Sequence, residues 1–282
     1  MKDLYTFDSD LNSAKRTYGT IIDAYTQFFN CLAVPWRRVT ADCGDIGGHL
    51  SDEFHFLSSL GEDSLVVCSN CDKGYNAELQ SHMSSKYCAG CDSTLENTKG
   101  IEVAHSFLLG DTYSAKLNAN YIPVEGENCH LQMGCYGIGV SRLIGATTEV
   151  LSADNELRWP KLIAPYSVCV ICPKMGSREE TAIKLANELC HQLNDVETGL
   201  FPDDVILDDR EKVTVGKKLR DACKIGYSYI ILFGKSSTDI DPEIELHCPV
   251  PSCRGEPQAT QITKVLLRDI IGVLKEKSSV SG

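Results

Sequence analysis

Two Cys-x-x-Cys pairs constrain the fold of this 282-residue chain more than any other feature of its sequence. Cys68 and Cys71 form the first pair, Cys88 and Cys91 form the second, and sixteen residues separate the pairs. This spacing is that of a zinc ribbon, in which two thiolate turns approach one tetrahedral ion from two sides. Four thiolates leave no open position for water, so the sequence predicts a structural Zn²⁺ site. The alternative is four free thiols in a surface loop.

Cysteine usage and charge indicate a reducing interior compartment. Fourteen cysteines would suggest disulfides in a secreted protein, but the chain shows no secretory signal, so we expect reduced thiols and metal ligation. The formal net charge of −12 disfavours a general nucleic-acid coating protein, although a local basic surface can exist on an acidic chain. No apolar run is long enough to cross a bilayer, so we expect no membrane partner.

A proline-containing segment, Leu157 to Tyr166, separates two patterns of hydrophobic residues. Before it, apolar spacing predicts a long amphipathic helix over 13–32 and strands over 36–41, 51–56, 64–67 and 99–109. After it, strands alternate with helices, ending in a helix over 263–276, which predicts a small α/β domain with a largely parallel sheet. The sequence therefore predicts one domain over 1–160 and a second over 163–282.

The run from Gly134 to Arg142 predicts a place where a ligand lies against the backbone. Gly137 and Gly139 allow close approach, and the free N–H groups of the helix that follows favour negative charge. Arg142 would be a fixed cation in the first helical turn. The same spacing is equally typical of a tight turn before a buried helix. A nucleotide-binding dehydrogenase is disfavoured, because its glycine pattern and position after a first βαβ strand are different.

Two polar pairs lie on predicted strands. Asp52 and Glu53 are adjacent and face opposite sides of their strand, so we do not expect an acid/base pair, but one of them is a candidate to bind a substrate amine. Glu102 and His105 are the polar members of a later strand. A lone histidine on an apolar strand is more often a core residue than a site residue, and we interpret His105 in that way.

A basic cluster follows the predicted strand that ends at Leu207. Asp208, Asp209 and Arg210 come directly after that strand, where open α/β sheets place ligand groups. The cations that follow make this a candidate RNA surface, with a solvated helix as the alternative. They are Lys212, Lys217, Lys218, Arg220 and Lys224.

The remaining Cys-x-x-Cys spacing is interpreted as structural. Cys169 and Cys172 lie on a predicted strand, where residues three apart point to opposite faces, so we expect core residues and not a redox pair. Cys248 and Cys253 flank two prolines and either clip a hairpin or have no role.

Taken in order, several motifs of the chain resemble those of bacterial-type prolyl-tRNA synthetases, and most closely those of the mitochondrial form. The resemblance covers nearly the whole chain. The motifs are Met1 to Phe7, Ala41-Asp42-x-Gly44-x-Ile46-Gly47-Gly48, Glu53-Phe54, Gly61-Glu62-Asp63, Gly134 to Arg142, Trp159-Pro160 with Ala164-Pro165-Tyr166, and Leu207 to Arg210.

The resemblance implies an α+β fold: the C-terminal part of a class II synthetase catalytic core, with an antiparallel sheet and flanking helices, then an α/β anticodon-binding domain. Residues 68–91 would form a zinc-ribbon-like insert in the core. The implied reaction uses ATP with Mg²⁺ to activate L-proline and then transfers proline to tRNA(Pro). The resemblance also implies a homodimer in the full-length family member, a mitochondrial matrix location and, because 68–99 is too short for an editing domain, no hydrolytic editing.

Roles for individual residues follow from the same resemblance. Arg142 is implied to hold the ATP phosphates, while Gly137 and Gly139 let adenine lie on the sheet. Asp3 resembles the acidic residue that closes motif 2, and Tyr5 follows it. Glu53 is implied to contact the substrate, Cys135 to line the proline pocket, and Glu102 to lie next to that pocket. The residues implied to contact the tRNA anticodon are Asp209, Arg210, Lys217 and Lys218.

Several motifs on which the activity of the family depends are absent or altered in this chain. The chain begins at the end of motif 2, so motif 1, the motif 2 arginine and phenylalanine, and the Thr-x-Glu loop have no counterpart in it. Asp52 stands where the family usually has histidine, which leaves the local hydrogen bonding open. We therefore expect these 282 residues alone to be inactive. The alternative is a non-catalytic tRNA-binding paralogue.

Overall fold

A computed structural model describes residues 1–71, 73–82, 87–123, 128–249 and 259–279 of the chain. The chain divides into two compact units, Met1–Val150 and Leu151–Gly282, which are treated separately below. Within the described ranges, no helix combines the length and apolar character needed to span a membrane. Cys253 lies outside the described residues.

The first unit is built on a mainly antiparallel sheet with the strand order β1-β9-β6-β3-β2-β5-β4. Strand β5 is the exception, because it pairs parallel to β2 through Thr40 and Tyr75. The strands and helices of this unit are β1 (Lys2–Asp8), α1 (Leu11–Leu32), β2 (Trp36–Thr40), β3 (Leu50–Leu57), β4 (Asp63–Cys68), β5 (Gly74–Asn76), β6 (Leu95–Gly110), α2 (Ser114–Leu117), β7 (Asn120–Tyr121), β8 (Cys129–His130), β9 (Gln132–Ile138) and α3 (Val140–Leu151).

Helix α1 covers one face of this sheet. It starts where the carboxylate of Asp10 accepts a hydrogen bond from the Ser13 backbone N–H at 2.9 Å, and it ends at Ala33, whose backbone is left-handed. Its apolar side buries residues spaced by three and four, as the sequence predicts. Phe29 is fully buried and its ring stacks on Phe54 of β3 with centroids 5.2 Å apart. We call the opposite side of the sheet the open face.

The glycine run lies differently from its sequence-based prediction. Gly134 and Gly137 are inside β9, and the strand-to-helix junction is at Gly139, just before α3. Gly134 is required by packing, because a Cβ there would collide with the hydroxyl of Tyr136 on the α1 side. The first part of the run, to Ile138, therefore lies in strand β9, and the last part begins helix α3.

The second unit carries a mixed sheet with the order β11-β10-β12-β13-β14. Strands β10, β11 and β12 are parallel to one another, whereas β13 and β14 add to the sheet antiparallel. The elements of this unit are β10 (Val168–Ile171), α4 (Ile183–Asn194), β11 (Val205–Asp208), α5 (Val215–Ile225), β12 (Tyr229–Leu232), β13 (Glu243–Cys248), β14 (Gln261–Leu266) and α6 (Ile270–Ser279).

The predicted terminal helix over 263–276 is wrong in its first part. Residues Gln261–Leu266 form strand β14, which pairs in continuous register with β13, and the α-helix begins at Ile270. Cross-strand hydrogen bonding thus overrides local spacing at the edge of this sheet. Cys169 and Cys172 are both buried, as expected for core residues, and burial raises the pKa of the Cys169 thiol to about 12.

Candidate functional site

Two rows of cross-strand neighbours bring most of the predicted site residues of the first unit together on the open face. In the first row, Glu53 of β3 pairs with His105 of β6, which pairs with Gly137 of β9, which pairs with Asp3 of β1. Each of these residues lies on a different strand, so the register of the sheet alone makes them neighbours.

The second row lies two residues along each strand and therefore points to the same face. Ser51 pairs with Phe107, Phe107 with Cys135, and Cys135 with Tyr5. The rings of His105 and Phe107 stack with centroids 3.9 Å apart, which joins the two rows. Tyr5 keeps 55% of its surface exposed, so this end of the row is accessible.

A β-bulge places Glu102 beside His105. Residues three apart on a regular strand point to opposite faces, but the register between β3 and β6 shifts at Phe54 and His55, so that Val103 has no partner in β3. The Glu102 carboxylate consequently reaches Nδ1 of His105 at 2.9 Å. Nε2 of the same ring lies 2.7 Å from the Ser51 hydroxyl. His105 is therefore held on both sides as a member of the cluster and is not a core residue.

Glu53 is the buried carboxylate of this face. Its Oε2 atom lies 2.8 Å from Nε2 of His55 and accepts a hydrogen bond from Nδ2 of Asn76 at 3.0 Å. Burial opposes ionisation of Glu53, but the hydrogen bonds from His55 and Asn76 outweigh it and lower the pKa of Glu53. A carboxylate held ionised in a largely buried position is suited to bind a cationic group.

Asp52, the neighbour of Glu53, points the other way. Its Oδ2 atom accepts a hydrogen bond at 2.8 Å from the hydroxyl of Tyr18 in α1, and burial raises the pKa of that hydroxyl. The residue that departs from the family pattern thus stabilises the contact between helix and sheet. Glu53 is the member of the adjacent pair that lies on the open face.

Cys135, Tyr5 and Asp3 form the exposed end of the cluster. Burial raises the pKa of the Cys135 thiol, so the thiol stays protonated at neutral pH and offers a small, weakly polar surface. The neighbouring thiol in turn raises the pKa of the Tyr5 hydroxyl. A Cβ placed on Gly137 would lie 3.4 Å from Oδ1 of Asp3, an ordinary van der Waals contact, so the Asp3 carboxylate lies beside the β9 backbone without crowding it.

Arg142 stands in the first turn of α3 at the edge of this cluster. Its Nη1 atom donates to the Glu102 carbonyl at 3.4 Å and lies 3.9 Å from the Glu102 carboxylate, while 60% of the side chain is exposed. The start of α3 adds unpaired backbone N–H groups beside the guanidinium. This end of the open face can therefore hold an anion, and the Glu53 end can hold a cation.

The four cysteines of the two Cys-x-x-Cys pairs lie together. Sγ of Cys68 is 3.4 Å from Sγ of Cys91, Sγ of Cys71 is 3.5 Å from Sγ of Cys88, and all four atoms lie within 4.8 Å of one another. Tetrahedral zinc with bonds of about 2.3 Å separates its sulfur ligands by about 3.8 Å.

The backbone around these cysteines also suits thiolate ligands. The N–H groups of Asn70 and Cys71 point at Sγ of Cys68, and the N–H of Gly90 points at Sγ of Cys88, each at 3.4 Å. Such donors stabilise negative charge on sulfur. The donor set and its spacing thus fit a tetrahedral, thiolate-preferring ion such as Zn²⁺.

In the second unit, Arg210 is held by carboxylates at the end of β11. Its Nε and Nη2 atoms donate to the two carboxylate oxygens of Asp208 at 2.9 and 2.7 Å, and Nη1 donates to Asp221 at 2.9 Å. The Arg210 hydrogen bonds, against an opposing effect of burial, lower the pKa of Asp208. Asp209 is exposed beside this pair.

The prediction that Lys218 belongs to an exposed basic surface is wrong. Its side chain is fully buried, and Nζ donates to the backbone carbonyls of Cys172 and Asp208 at 3.0 Å each. The Lys217 side chain, by contrast, is 60% exposed, and its Nζ atom lies 3.8 Å from Oδ1 of Asp221. Adjacent residues on α5 point about 100° apart, so one lysine faces solvent while the next lies under the strand ends.

Residues 167–241 match the family model described as an anticodon binding domain. The probable mitochondrial proline–tRNA ligase of Mus musculus is 44% identical over 242 residues, which is 86% of this chain and 50% of that protein. The chain is a homologue of the proline–tRNA ligases. It spans about half the length of the relatives it matches.

More distant relatives agree with this assignment. The mitochondrial protein of Schizosaccharomyces pombe is 41% identical over 83% of this chain and 54% of its own length, and the proline–tRNA ligase of Sulfurimonas denitrificans is 35% identical over 83% and 56%. A crystal structure of Cryptosporidium parvum prolyl-tRNA synthetase with L-proline and AMP covers 99% of this chain and 48% of its own, with a TM-score of 0.68 and 16% identity. The expected α+β fold with an anticodon-binding domain is confirmed.

Three polar residues of the open face were not predicted from the sequence. Ser51 and His55 alternate with Glu53 along β3, and that period of two was a signal for them. Asn76 gave no such signal, because it reaches Glu53 from the short strand β5 beyond the first cysteine pair.

Proposed function

We propose that this chain carries the amino-acid and ATP subsites and the anticodon-binding domain of a proline–tRNA ligase. The observation that carries the proposal is the pair of cross-strand rows on the open face, with a buried carboxylate at one end and Arg142 at the other. The names of the relatives support the choice of proline and tRNA, and their mitochondrial names support action in the mitochondrial matrix.

The proposed reaction has two steps. The carboxylate of L-proline attacks the α-phosphorus of ATP, supplied as its Mg²⁺ complex, and pyrophosphate leaves to give prolyl-adenylate. A hydroxyl at the 3′ end of tRNA(Pro) then attacks the prolyl carbonyl, and AMP leaves. Both steps depend mainly on positioning and on stabilisation of phosphate charge.

The residues of the open face divide this work by charge. Glu53 accepts the proline ammonium group, with Glu102 and His105 at its side, and the weakly polar Cys135 thiol lines the pocket for the ring. Arg142 holds the phosphate end, and Gly137 leaves room for a flat base against β9. Asp3 and Tyr5 border the same pocket from β1, the neighbouring strand.

Proline-dependent ATP–pyrophosphate exchange tests the assignment. We expect no exchange from the chain alone and clear exchange from a chimera in which the unmatched half of the Mus musculus relative precedes Met1. A chimera that exchanges with another amino acid, or with none, contradicts the proposal. A subunit mass measurement on the same chimera tests the homodimer that the family resemblance implies.

We also assign the four-cysteine cluster to one structural Zn²⁺ ion per chain, held by Cys68, Cys71, Cys88 and Cys91. The sulfur distances and the backbone donors support this assignment. Metal analysis of protein purified without added metal should find about one zinc per chain. A Cys68→Ser/Cys88→Ser double variant should lose the metal, whereas the exposed Cys31→Ser control should keep it. Equal zinc content in both variants contradicts the site.

In the second unit, the proposed tRNA contacts are Asp209, Arg210 and a stripe on α5. Lys217, Arg220 and Lys224 are exposed and are spaced by three and four residues, so they share one side of the helix. We exclude Lys218 from this surface because it is buried.

A tRNA-binding homologue without ligase activity is the second candidate. The match to an anticodon binding domain over 167–241 favours it independently of the open face. The two candidates differ in one result: tRNA(Pro) binding together with no exchange from the chimera would select the non-catalytic protein.

A further inference from the structure

The segment that carries the cysteine pairs also touches the open face. We call its described residues, 68–71, 73–82 and 87–94, the knuckle insert. Asn76 of this insert donates to the Glu53 carboxylate at 3.0 Å. Two residues later, a carboxylate oxygen of Glu78 accepts a hydrogen bond at 3.1 Å from the backbone N–H of Asp42, at the start of the glycine-rich turn before β3. The insert is therefore joined to the candidate substrate site at Glu53 and to the turn before β3 at Asp42.

The strand that presents Asn76 is held by few interactions of its own. Strand β5 has three residues, pairs with β4 from Leu65 to Val67, and meets β2 only at the Thr40 bridge. A Cβ on Gly74 would approach a methyl group of Val39 to 2.8 Å, so β5 sits close against the side chains of β2. A strand this short depends on the turn that leads into it for its position.

That turn is the first half of the cysteine cluster. Cys68 is the last residue of β4, Cys71 lies three residues before β5, and the Cys68 N–H donates to the Lys73 carbonyl at 2.9 Å. The second cysteine turn is attached to the first through the Ser69 N–H, which donates to the Thr94 carbonyl at 3.1 Å. An ion bound by both turns would fix the entry into β5 and with it the position of Asn76.

We infer that Asn76 is a positioning residue for Glu53 and that metal bound by the four cysteines holds Asn76 in place. Loss of the metal then releases Asn76 and weakens the hold on the substrate amine, while the rest of the sheet stays folded. The substrate part of this inference rests on the proposed function, whereas the link between the cluster and Glu53 does not.

The contacts of Glu53 show which of its two partners can move. His55, fully buried, and Asn76 are the two side chains that share Oε2 of Glu53, and His55 is fixed within β3 itself. Asn76 is thus the contact that can change without disturbing the β3–β6 ladder. Removing it leaves a buried carboxylate with one hydrogen bond fewer, which favours a shift of Glu53 toward His55.

The first experiment follows the imidazole nitrogen signals of His55 by NMR in the 282-residue chain. Asn76→Ala at full metal content should move the His55 signals, because its partner Glu53 loses a donor. Asn97→Ala is the matched control: Asn97 is exposed on β6 and is paired with Val66, which also pairs with Tyr75 of β5. Unchanged His55 signals in Asn76→Ala, or equal changes in both variants, would overturn the positioning role.

The second experiment removes the metal with a chelator and follows hydrogen exchange. We expect faster exchange over 65–76 and altered His55 signals, with the amides of α1 still protected. Loss of protection throughout α1 would show that the metal supports the whole unit, and unchanged exchange over 65–76 would show no link. Either result overturns the inference.

The third experiment uses the chimera defined above. Asn76→Ala should raise the KM for L-proline about tenfold with little change in kcat, because Glu53 keeps its contact with His55 but loses the hydrogen bond from Asn76 that holds it at the amine site. Asn97→Ala should match the parent. An unchanged KM for L-proline, or a fall in kcat without a change in KM, overturns the part of the inference that concerns substrate binding. If no form of the chimera uses proline, the proposed function fails, and the NMR result still decides the link.

Discussion

The open face of the first unit and the strand ends of the second unit both collect charged side chains, but they do so in opposite ways. On the open face, Glu53, Glu102 and Arg142 come from three separate elements. Sheet register and one bulge place the two carboxylates, and the first turn of α3 places Arg142 beside Glu102. At the end of β11, the charged residues are close in sequence, yet the helix that carries Lys217 and Lys218 sends them to different environments.

The difference matters for what each region can bind. Arg210 already has two carboxylate partners at hydrogen-bonding distance, so a phosphate must compete with Asp208 and Asp221 for it. Nη1 of Arg142 is 3.9 Å from the Glu102 carboxylate, and the side chain is largely exposed. Breaking this weak ion pair costs little free energy, so a phosphate can replace Glu102 as the partner of Arg142. The open face is thus prepared for a small charged ligand, whereas the second unit offers a distributed surface.

The largest expected effect is on Lys218, the buried cation of the second unit. Lys218→Met leaves the Cys172 and Asp208 carbonyls without their donor, so we expect the free energy of unfolding of this unit to fall by about 3 kcal/mol. Lys217→Met, one residue away and exposed, should change it by less than about 0.5 kcal/mol.

Urea denaturation followed by Trp159 fluorescence measures this pair. A Trp36→Phe background leaves Trp159 as the one tryptophan of the chain, and its indole N–H bonds to Ile225 at the end of α5. Equal losses in the two variants would mean that the burial of Lys218 is not what distinguishes them.

The second prediction compares the two arginines. In the chimera, Arg142→Ala should lower proline-dependent exchange by about 100-fold, since the phosphates no longer have a fixed cation beside them. Arg210→Ala should leave exchange unchanged, because exchange requires no tRNA. An Arg142 variant with parental exchange would remove this residue from the ATP site, and a defect in Arg210→Ala would contradict the division of roles between the units.

The third prediction concerns acid stability of the first unit. The hydrogen bonds of Glu53 lower its pKa from the ordinary value of 4.5 against the effect of burial, so its ionised form stabilises the folded state. That contribution is fully present above about pH 4.5, the ordinary pKa, and is lost as the pH falls through the folded-state pKa. Glu53→Gln should therefore flatten the fall of stability below pH 4.5.

Urea midpoints between pH 3 and pH 7, followed by Trp36 in a Trp159→Phe background, give the slope. The comparison variant is Glu149→Gln, a carboxylate of α3 for which the structure gives no charged partner among the described residues. Parallel curves for the parent and Glu53→Gln would show that the Glu53 contacts do not favour its ionised form.

Sequence patterns predicted those parts of the molecule that local periodicity controls. The long helix α1, the buried strands and the cysteine pairs follow from spacing alone, because each depends on residues within one element or on two adjacent turns. The resemblance to synthetases then pointed to Glu53, Cys135 and Arg142. Their neighbourhood on one sheet face became visible only with the strand register.

The features that sequence missed arise from events between elements. The bulge at Val103 reverses the expected facing of Glu102 relative to His105, and no local pattern indicates it. Strand β14 replaces a predicted helix because β13 offers it a complete ladder. Lys217 and Lys218 are adjacent and of the same type, so counting charges did not separate them. Lys218 is buried because it lies three residues after Val215 and four before Ala222, on the side of α5 that packs against the sheet.

The smallest expected effect is on tRNA binding by the α5 stripe. Replacing Lys217 and Lys224 by glutamine should weaken binding of tRNA(Pro) and reduce the slope of log affinity against log salt by about one for each phosphate that the variant no longer neutralises. Lys275→Gln, an exposed lysine on α6, is the control within the same unit; it removes one positive charge, whereas the α5 variant removes two.

Filter binding or fluorescence anisotropy over a range of salt concentrations gives the slopes. A stripe that contacts phosphates must lower the slope in the α5 variant and leave it unchanged in Lys275→Gln, because general attraction to the unit is equally altered per charge in both. Equal slopes in all three proteins would show that the α5 cations form a solvated helix surface. The proposed tRNA contacts of the second unit would then be reduced to Asp209 and Arg210, at the end of β11.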